Sequence, residues 1–506
     1  MVAQIQTNDV ILEQKLAELE AAHSWSPRVI SKLETFIRTA DDYSLFRVNP
    51  YTFAAEKGIS EAEAIDLFLY SAKFGIFEMD WNVLCAFCPH VVESFQYLNK
   101  LHTHRTCQFC GSQEQAALDD YIQVTFTVLP QIRDNSYRYP ESLSVEDFYY
   151  KFNFTKGLMP PSGFTLEGII ALLHKDVRDI QPKETQTFEF DLPPGRFEII
   201  DVPHNALLVF GVEDSEIKDA PTQTTSINMA NGKFSVLNRV VGPMEVASGP
   251  TVIQLEQFGR LQRGKHRFEI ENQMDERARL WIIQYPLGFE SYYQEYEPFL
   301  SGKKLLSTQT FRDLFRSEVI DTAEGIEVKD LSYLFTDLKG STALYDRIGD
   351  AKAYYLVRQH FETLTQVIAS KSGAIVKTIG DAVMATFVNP ADAVDAAITM
   401  IEKIDAFNKN ISEELILKIG VHKGHSIAVA VNERLDYFGQ SVNIASRIQG
   451  LADANEIYIS GDVYAAAGVS DTLKSHLVMP EQVSVKGVSE KQQVYKIKVG
   501  QGQPAL

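Results

Sequence analysis

Six polar residues in the last third of the chain have the types and spacing needed for chemistry on a nucleotide. They are Asp337, Lys377, Asp381, Asp436, Asn443 and Arg447. Carboxylates can bind hard cations such as Mg²⁺. A lysine and a carboxylate can together read the edge of a nucleobase, and an asparagine with an arginine can hold a charged transition state. The set therefore predicts phosphoryl-transfer chemistry.

The segment FTDLKGST places the first carboxylate at the end of a predicted strand. Apolar side chains recur at every second position over residues 331–335, and Asp337 follows them. Gly340 lets backbone N–H groups approach an anion. Ser341 or Thr342 can cap the helix that is predicted to begin there, with its positive end toward phosphate. We expect this loop to contact a metal ion and the phosphates of a substrate.

The segment VKTIGDAVMATF predicts a hairpin. Two short apolar strands, AIVKT and AVMATF, flank Gly380, and the turn between them would project Asp381. Two carboxylates on neighbouring strands suit a two-metal site, in which one ion activates the attacking oxygen and the other neutralises the leaving pyrophosphate. We therefore expect Asp337 and Asp381 to act together.

The segment LDYFGQSVNIASRIQG predicts a helix that begins near Gln440. Asn443 and Arg447 are four residues apart, so they share one face of that helix. The asparagine can orient a ribose, and the guanidinium can meet charge that develops on phosphoryl oxygens. Asp436 precedes the helix.

These three segments resemble the catalytic core of the class III nucleotidyl cyclases, over about residues 328–499. The resemblance implies a ferredoxin-like α/β domain that forms a head-to-tail homodimer with composite active sites. In such a dimer, the metal-binding carboxylates of one protomer serve a site together with the base-reading and transition-state residues of the other. Activity would then depend on dimerisation.

The resemblance also implies a role for each residue. Asp337, Asp381 and the carbonyl of Leu338 match the ligands of two Mg²⁺ or Mn²⁺ ions in each active site. The residues that match substrate-binding or catalytic positions are Lys377 and Asp436 for adenine, Asn443 and Arg447 for the transition state, and Lys486, in VSVKGVSEK, for the triphosphate.

The base-reading residues favour ATP as the substrate. Lys377 can donate to N1 of adenine and Asp436 can accept from its exocyclic amine, whereas relatives that use GTP usually have Glu and a smaller residue there. We expect an adenylate cyclase that converts ATP to 3',5'-cyclic AMP and pyrophosphate. The alternatives are a guanylate or pyrimidine cyclase and a regulator that senses a nucleotide without catalysis.

All four cysteines occur in one pattern. Cys85 and Cys88 form one C-x2-C pair, and Cys107 and Cys110 form another. This is the spacing of a zinc ribbon, in which four thiolates close a tetrahedral site, so the sequence predicts a structural Zn²⁺ ion. Isolated buried thiols or a redox pair are the alternatives. With this pattern, the chain resembles soluble bacterial cyclases that have a zinc-ribbon region before the catalytic domain.

The sequence predicts a multidomain α+β protein with regulatory regions before the cyclase. Short alternating runs such as TFEFDL and TVIQLEQF, separated by Pro, Gly, Asn and Asp, indicate a central β-sandwich-like region with a sensory or regulatory role. The predicted regions are a helical, winged helix-turn-helix-like region at 1–80, the zinc ribbon at 81–120, the β-rich region at 121–287, a linker with a transmission helix at 288–327 and the cyclase domain at 328–499.

Charge and hydropathy limit the partners. The net charge of −19 opposes non-specific binding to nucleic acid or to anionic membranes. Glu61, Glu63 and Asp66 on the second helix of the helix-turn-helix would repel DNA. No apolar run approaches the roughly 20 residues that span a bilayer, and the N-terminus lacks the features of a signal peptide. We expect a cytoplasmic protein that does not insert into membranes, with an unknown regulatory ligand or protein partner.

Overall fold

The computed structural model describes residues 7–85, 90–100, 104–107, 113–115, 121–159, 172–204, 206–214, 222–237, 259–286, 295–316, 325–411, 413–432, 434–486 and 490–500. Within these ranges the chain forms an N-terminal α+β region, a central pair of β-sheets and a C-terminal α/β domain. No helix in the described part is long and apolar enough to cross a membrane.

Four helices begin the N-terminal region. They are α1 (Asp9–Ala22), α2 (Val29–Thr39), α3 (Pro50–Lys57) and α4 (Glu61–Lys73). Gly58 ends α3 in the left-handed region at φ +60°, and the side chain of Ser60 accepts a hydrogen bond from the backbone N–H of Glu63 to cap α4. The two helices and the turn of the predicted helix-turn-helix are therefore confirmed. Their assignment to a winged-helix module remains a prediction.

A small sheet follows the helices. The strands in this part of the chain are β1 (Phe77–Leu84), β2 (Val91–Phe95), β3 (His104–Thr106), β4 (Gln113–Gln115) and β5 (Ile122–Val128). The strand order is β2-β1-β5, and β3 pairs with β4. β5 runs antiparallel to β1 from Val128 opposite Phe77 to Ile122 opposite Val83. The predicted domain boundary at residue 120 therefore divides one sheet, because β1 and β2 precede it and β5 follows it.

The central region is a β-sandwich. A short helix, α5 (Val145–Asp147), a π-helical turn (Phe148–Phe152) and β6 (Leu158–Met159) precede it. Its strands are β7 (His174–Ile180), β8 (Thr185–Leu192), β9 (Gly195–Asp201), β10 (Ala206–Glu213), β11 (Gln223–Ala230), β12 (Lys233–Val236), β13 (Gly259–Gln262), β14 (Gly264–Asn272) and β15 (Ala278–Pro286).

Two sheets with the orders β13-β10-β9-β15-β7 and β12-β11-β14-β8 share one hydrophobic core. The rings of Phe197 and Phe268, one from each sheet, stack with their centroids 5.1 Å apart. This confirms the β-sandwich-like region that alternating hydrophobicity predicts. One predicted strand, TVIQLEQF, lies outside the described residues.

Two short helices connect the sandwich to the C-terminal domain. After β16 (Glu295–Tyr296), which pairs with β6, come α6 (Gly302–Leu306) and α7 (Gln309–Leu314). Leu305 and Phe311 are buried in the same hydrophobic cluster as Trp81 of β1. The connecting segment is therefore packed into the N-terminal core.

The C-terminal domain has a ferredoxin-like centre. Its elements are β17 (Ile326–Leu338), α8 (Ser341–Ile348), α9 (Asp350–Ser370), β18 (Ala374–Ile379), β19 (Ala382–Phe387), α10 (Pro390–Asn408), β20 (Leu417–Val431), β21 (Arg434–Phe438), α11 (Gln440–Gln449), β22 (Glu456–Ser460), α12 (Gly461–Tyr464), α13 (Val469–Thr472), β23 (Leu477–Val483) and β24 (Gln492–Lys498).

The sheet has the order β18-β19-β17-β20-β22-β24-β23, and β21 pairs with β20. The strands β18, β19, β17 and β20 are antiparallel to one another, with helices after β17 and β19, which is the split βαβ arrangement of ferredoxin-like folds. The next pair, β20 and β22, is parallel. α9 and α10 pack on one face of the sheet. On the other face, Tyr333, Met384 and Tyr437 belong to the cluster that contains the N-terminal helices.

Candidate nucleotide-binding site

Two carboxylates lie at one edge of the ferredoxin-like sheet. Asp337 is the penultimate residue of β17, and Asp381 lies in the turn between β18 and β19, directly after Gly380 at φ +64°. The backbone ladder between β17 and β19 ends at Phe335 opposite Met384. Beyond it, the backbone N–H of Val383 donates to the hydroxyl of Thr336 at 3.1 Å. This bond fixes the position of the hairpin turn relative to Asp337.

The electrostatics of this pair fit a divalent cation. Burial and, next, the negative charge of Asp381 raise the pKa of Asp337 above its ordinary value. The Oδ2 atom of Asp381 is buried and has no hydrogen-bond partner among the described residues. A buried carboxylate oxygen beside a second carboxylate costs free energy unless a cation or a donor satisfies it. Asp337 and Asp381, with the carbonyl of Leu338, can therefore hold Mg²⁺ or Mn²⁺.

The start of α8 differs from the expectation. Gly340, at φ +74°, is the N-cap residue, and no side chain caps the helix. The prediction that Ser341 or Thr342 caps α8 is wrong, because the chain enters the helix through the left-handed glycine and Ser341 is already its first helical residue. The space around the Cα of Gly340 is open. The first N–H groups of α8 are thus left without a side-chain cap, beside the carboxylates.

The two predicted base-reading residues form an ion pair. Nζ of Lys377, on β18, lies 2.6 Å from Oδ2 of Asp436, on β21. Asp436 is buried, and its Oδ1 accepts a hydrogen bond of 2.8 Å from the backbone N–H of Tyr437. The ammonium group lies 5.7 Å from the ring centroid of Phe438. The pair presents a donor and an acceptor side by side, as recognition of an adenine edge requires.

α11 carries the predicted transition-state residues and lies close to β20. The side chain of Asn443 is exposed, and Nη1 of Arg447, one turn later, donates to the backbone carbonyl of Lys486. A methyl group on Gly420 would overlap the backbone of Gln449. The helix can therefore approach the sheet only because a glycine stands at this position of β20.

The structure brings the predicted residues together in three groups. Asp337 and Asp381 form the first, Lys377 and Asp436 the second, and Asn443, Arg447 and the backbone of Lys486 the third. Among the described residues of this single chain, no hydrogen bond or ion pair links the first group to the other two.

The predicted zinc site is only partly within the described residues. Cys85 and Cys107 are buried in one hydrophobic cluster, whereas Cys88 and Cys110 lie outside the described ranges. Nδ1 of His90 lies 3.8 Å from Sγ of Cys107. Within the described part of the chain, no group of three or more His, Cys, Asp or Glu side chains is arranged to hold a metal ion. The four-cysteine site therefore remains a prediction.

Sequence reasoning missed two residues that support the carboxylates. Lys418 of β20 stands opposite Asp337 in the strand register, with its Nζ 3.8 Å from the carboxylate, and Thr336 anchors the hairpin. Neither has a local signature, since a lysine on a strand is usually a solvated residue. Only the pairing of β17 with β20 places Lys418 beside Asp337, and the sequence alone does not show this pairing.

The C-terminal domain also matches a known family. Residues 325–499 match the adenylate and guanylate cyclase catalytic domain family. Together with the ferredoxin-like sheet and the arrangement of the six residues, this defines a class III nucleotidyl cyclase catalytic domain. Residues 12–313 match a family of unknown function (DUF5939). Because the latter match covers more than half of the chain, the protein belongs to that family.

Known cyclases are similar to parts of the chain. An adenylate cyclase of Anabaena cylindrica is 25% identical over 254 residues, which are 46% of this chain and 50% of that protein. Adenylate cyclase 2 of Rhizobium meliloti is 27% identical over 166 residues, 30% of this chain and 46% of that protein. The match to an adenylate cyclase of Neurospora crassa, at 31% identity over 153 residues, covers 26% of this chain and 7% of that protein.

The chain thus spans half or less of the length of these relatives. Among solved structures, the adenylyl cyclase CyaB from P. aeruginosa is similar, with 24% identity and a TM-score of 0.32, over 36% of this chain and 100% of that one.

The hydrogen bond of Thr336 leads to a prediction about the metal site. Thr336→Val keeps the shape of this buried side chain but removes the acceptor of the Val383 N–H, so the hairpin turn should lose its fixed position. We expect the affinity for Mn²⁺ to fall about 10-fold, measured by titration calorimetry. Thr336→Ser, which keeps the hydroxyl, is the control and should bind as the wild type does. A valine variant with wild-type affinity would contradict this role.

Proposed function

We propose that the chain is an adenylate cyclase that converts ATP to 3',5'-cyclic AMP and pyrophosphate by attack of the ribose 3'-hydroxyl on the α-phosphate. The observation that carries the proposal is the 2.6 Å ion pair of Lys377 and Asp436, in the same catalytic domain as the two carboxylates. A donor and an acceptor in this order match the N1 and amino edge of adenine.

The metal-binding residues would prepare the reacting groups. Mg²⁺ or Mn²⁺ ions bound by Asp337, Asp381 and the carbonyl of Leu338 would supply activation of the 3'-hydroxyl and neutralisation of the departing pyrophosphate. The uncapped first turn of α8 offers backbone N–H groups to the phosphates. Lys418, opposite Asp337, adds a positive charge beside that carboxylate.

The residues of α11 would act on the transition state. Arg447 would exchange the Lys486 carbonyl for a phosphoryl oxygen, where its guanidinium stabilises the charge that develops. Asn443, exposed on the same face of α11, would orient the ribose. Lys486 has an exposed side chain next to this position and would contact the triphosphate.

A homodimer would complete the site. The lack of a bond between the carboxylates and the other two groups within one described chain supports a composite site, in which Asp337 and Asp381 of one protomer face the base-reading and transition-state residues of a second copy. In this arrangement each dimer has two equivalent sites.

Three other functions are less consistent with these residues. A guanine edge presents the reverse donor and acceptor order to Lys377 and Asp436 and would leave buried polar groups unpaired. Uracil also presents the reverse order. Cytosine has the same acceptor and donor order as adenine, but its single ring would leave this edge farther from Lys377 and Asp436 when the ribose is held in the same position. A nucleotide sensor without catalysis would not need two metal-binding carboxylates, one of which has a buried oxygen with no hydrogen-bond partner among the described residues.

The proposal is tested by offering purified protein an equimolar mixture of ATP, GTP, CTP and UTP with Mg²⁺ or Mn²⁺. We expect cyclic AMP as the main product, identified by mass spectrometry, and a loss of at least about 100-fold in Asp381→Ala. Asp395→Ala is the matched control and should keep the activity, because this half-buried carboxylate of α10 pairs with Lys371. A different cyclic nucleotide would overturn the base assignment, and no product with either metal would overturn the enzymatic function.

We also propose that residues 12–313 form a regulatory region that includes a structural zinc ribbon of Cys85, Cys88, Cys107 and Cys110. The burial of Cys85 and Cys107 in one cluster supports it, since these two residues come from the two C-x2-C pairs. The β-sandwich would receive the regulatory ligand or protein. The winged-helix-like segment, with its acidic second helix, would pack within this region rather than bind DNA.

Metal analysis tests the zinc ribbon. Protein purified without added zinc should contain about one Zn²⁺ per chain, and removal with a chelator should lower its thermal stability. Cys107→Ser should lose the metal. Cys88→Ser gives a second measurement if Cys107→Ser does not fold. Protein that contains no zinc and unfolds at the same temperature with and without chelator would refute the ribbon.

A further inference from the structure

The helix α7 contacts both strands that carry the base-reading pair. It lies just before the catalytic domain in the chain and packs on the face of the sheet that is opposite α9 and α10. Two of its side chains, Gln309 and Arg312, form hydrogen bonds to β18 and β21. These strands carry Lys377 and Asp436.

Gln309 binds β18 two residues before Lys377. Its Oε1 accepts a hydrogen bond of 2.8 Å from the backbone N–H of Ile375. At this point the register between β18 and β19 shifts, between Ile375 and Lys377. A strand irregularity weakens local pairing and re-aims the side chain that follows. The Gln309 amide thus stabilises the backbone at the point that sets the direction of Lys377.

Arg312 holds β21 on both sides of Asp436. Its Nη1 donates to the carbonyl of Leu435 and its Nη2 to the hydroxyl of Tyr437, each at 3.3 Å. The guanidinium carbon lies 5.5 Å from the ring centroid of Tyr437, and Nε donates to the carbonyl of Leu306 at 2.8 Å. A planar guanidinium with several fixed donors restrains the residues it binds more than a single flexible donor would.

The other side of α7 is buried against the N-terminal region. Phe311 is 2% exposed and meets Trp81 of β1 edge-on, with the ring centroids 6.2 Å apart. Nζ of Lys73, in the last turn of α4, donates to the carbonyl of Leu314 at 3.0 Å. A displacement of α4 or β1 would therefore move α7, and with it the strands of the base-reading pair.

We infer that Gln309 and Arg312 are positioning residues through which the N-terminal region sets the geometry of the Lys377–Asp436 pair, and hence both the affinity for the nucleotide and the choice of base. The inference rests on the proposed function. It assigns to α7 a role in selecting the substrate, beyond joining two regions. Neither residue touches the reacting atoms.

The test compares the kinetics of full-length variants with ATP and with GTP. Arg312→Met removes the donors but keeps an unbranched side chain, and Arg316→Met is the matched control, because Arg316 is exposed just beyond the end of α7. For Arg312→Met we expect KM for ATP to rise about 10-fold and the ATP-over-GTP preference in kcat/KM to fall about 10-fold. We expect kcat to stay within about 3-fold, because the metal and transition-state residues are untouched.

Two further variants separate positioning from general stability. Arg312→Lys, which can reach one acceptor, should fall between the wild type and Arg312→Met. If Arg312→Met lowers the unfolding temperature by more than about 5 °C, Tyr437→Phe, which removes only the phenol oxygen, replaces it in the test and should shift the preference in the same direction. Values of KM and preference within about 2-fold of wild type for these variants would overturn the inference.

The outcome for the wild type distinguishes this inference from the proposed function. A wild type that forms no cyclic nucleotide would overturn the proposed function alone. Equilibrium binding of ATP and GTP to the same variants would then decide the inference: a loss of the difference between the two nucleotides in Arg312→Met would support it, and an unchanged difference would overturn it.

Discussion

The catalytic domain depends on holding two carboxylates that repel each other at one edge of a sheet. Burial and, next, the charge of Asp381 raise the pKa of Asp337, and one oxygen of Asp381 is buried without a hydrogen-bond partner among the described residues. Such an arrangement is unfavourable by itself and persists only because the surroundings fix it. The long β17, the Thr336 hydroxyl and the left-handed Gly380 provide that restraint. The result is a site whose electrostatics a bound cation would complete.

The restraint extends from the carboxylates through the sheet. β17 lies between β19, which follows the Asp381 turn, and β20, which pairs with the Asp436 strand. The glycine at 420 allows α11 to approach the same sheet closely, so the position of Arg447 depends on backbone packing as well as on its hydrogen bond to the carbonyl of Lys486. The residues proposed to bind the metal, the base and the transition state are thus all attached to one sheet, as phosphoryl transfer that relies on positioning and charge requires.

The N-terminal region is part of this scaffold. A single hydrophobic cluster joins Trp81 and Phe311 to Tyr333, Met384 and Tyr437 of the catalytic sheet. Because packed interiors transmit displacement, a movement of the N-terminal region would reach the catalytic sheet through this cluster. The N-terminal region and one face of the catalytic sheet, which are far apart in the sequence, therefore share one hydrophobic cluster, whereas the β-sandwich has a core of its own.

Local patterns in the sequence predicted the elements of the site well. The strand before Asp337, the hairpin around Gly380 and the helix of Asn443 and Arg447 were all confirmed, because each has a periodicity or a turn residue that acts over a few positions. The cap of α8 was wrong, since glycine took the position expected for a hydroxyl side chain.

Features that depend on distant pairing could not be predicted. The pairing of β5 with β1, the position of Lys418 opposite Asp337 and the contacts of α7 with β18 and β21 all join residues that are far apart in the sequence. Register and docking are set by the whole core, and no short motif encodes them.

The central claim is that Lys377 and Asp436 select ATP, and exchanging both residues tests it most directly. The measurement is kcat/KM for ATP and GTP in the double variant Lys377→Glu, Asp436→Ser. The account predicts that the wild type prefers ATP by roughly 100-fold and that the variant loses this preference or favours GTP, since the donor and acceptor order is reversed. A double variant that stays active and keeps the wild-type preference for ATP would contradict it.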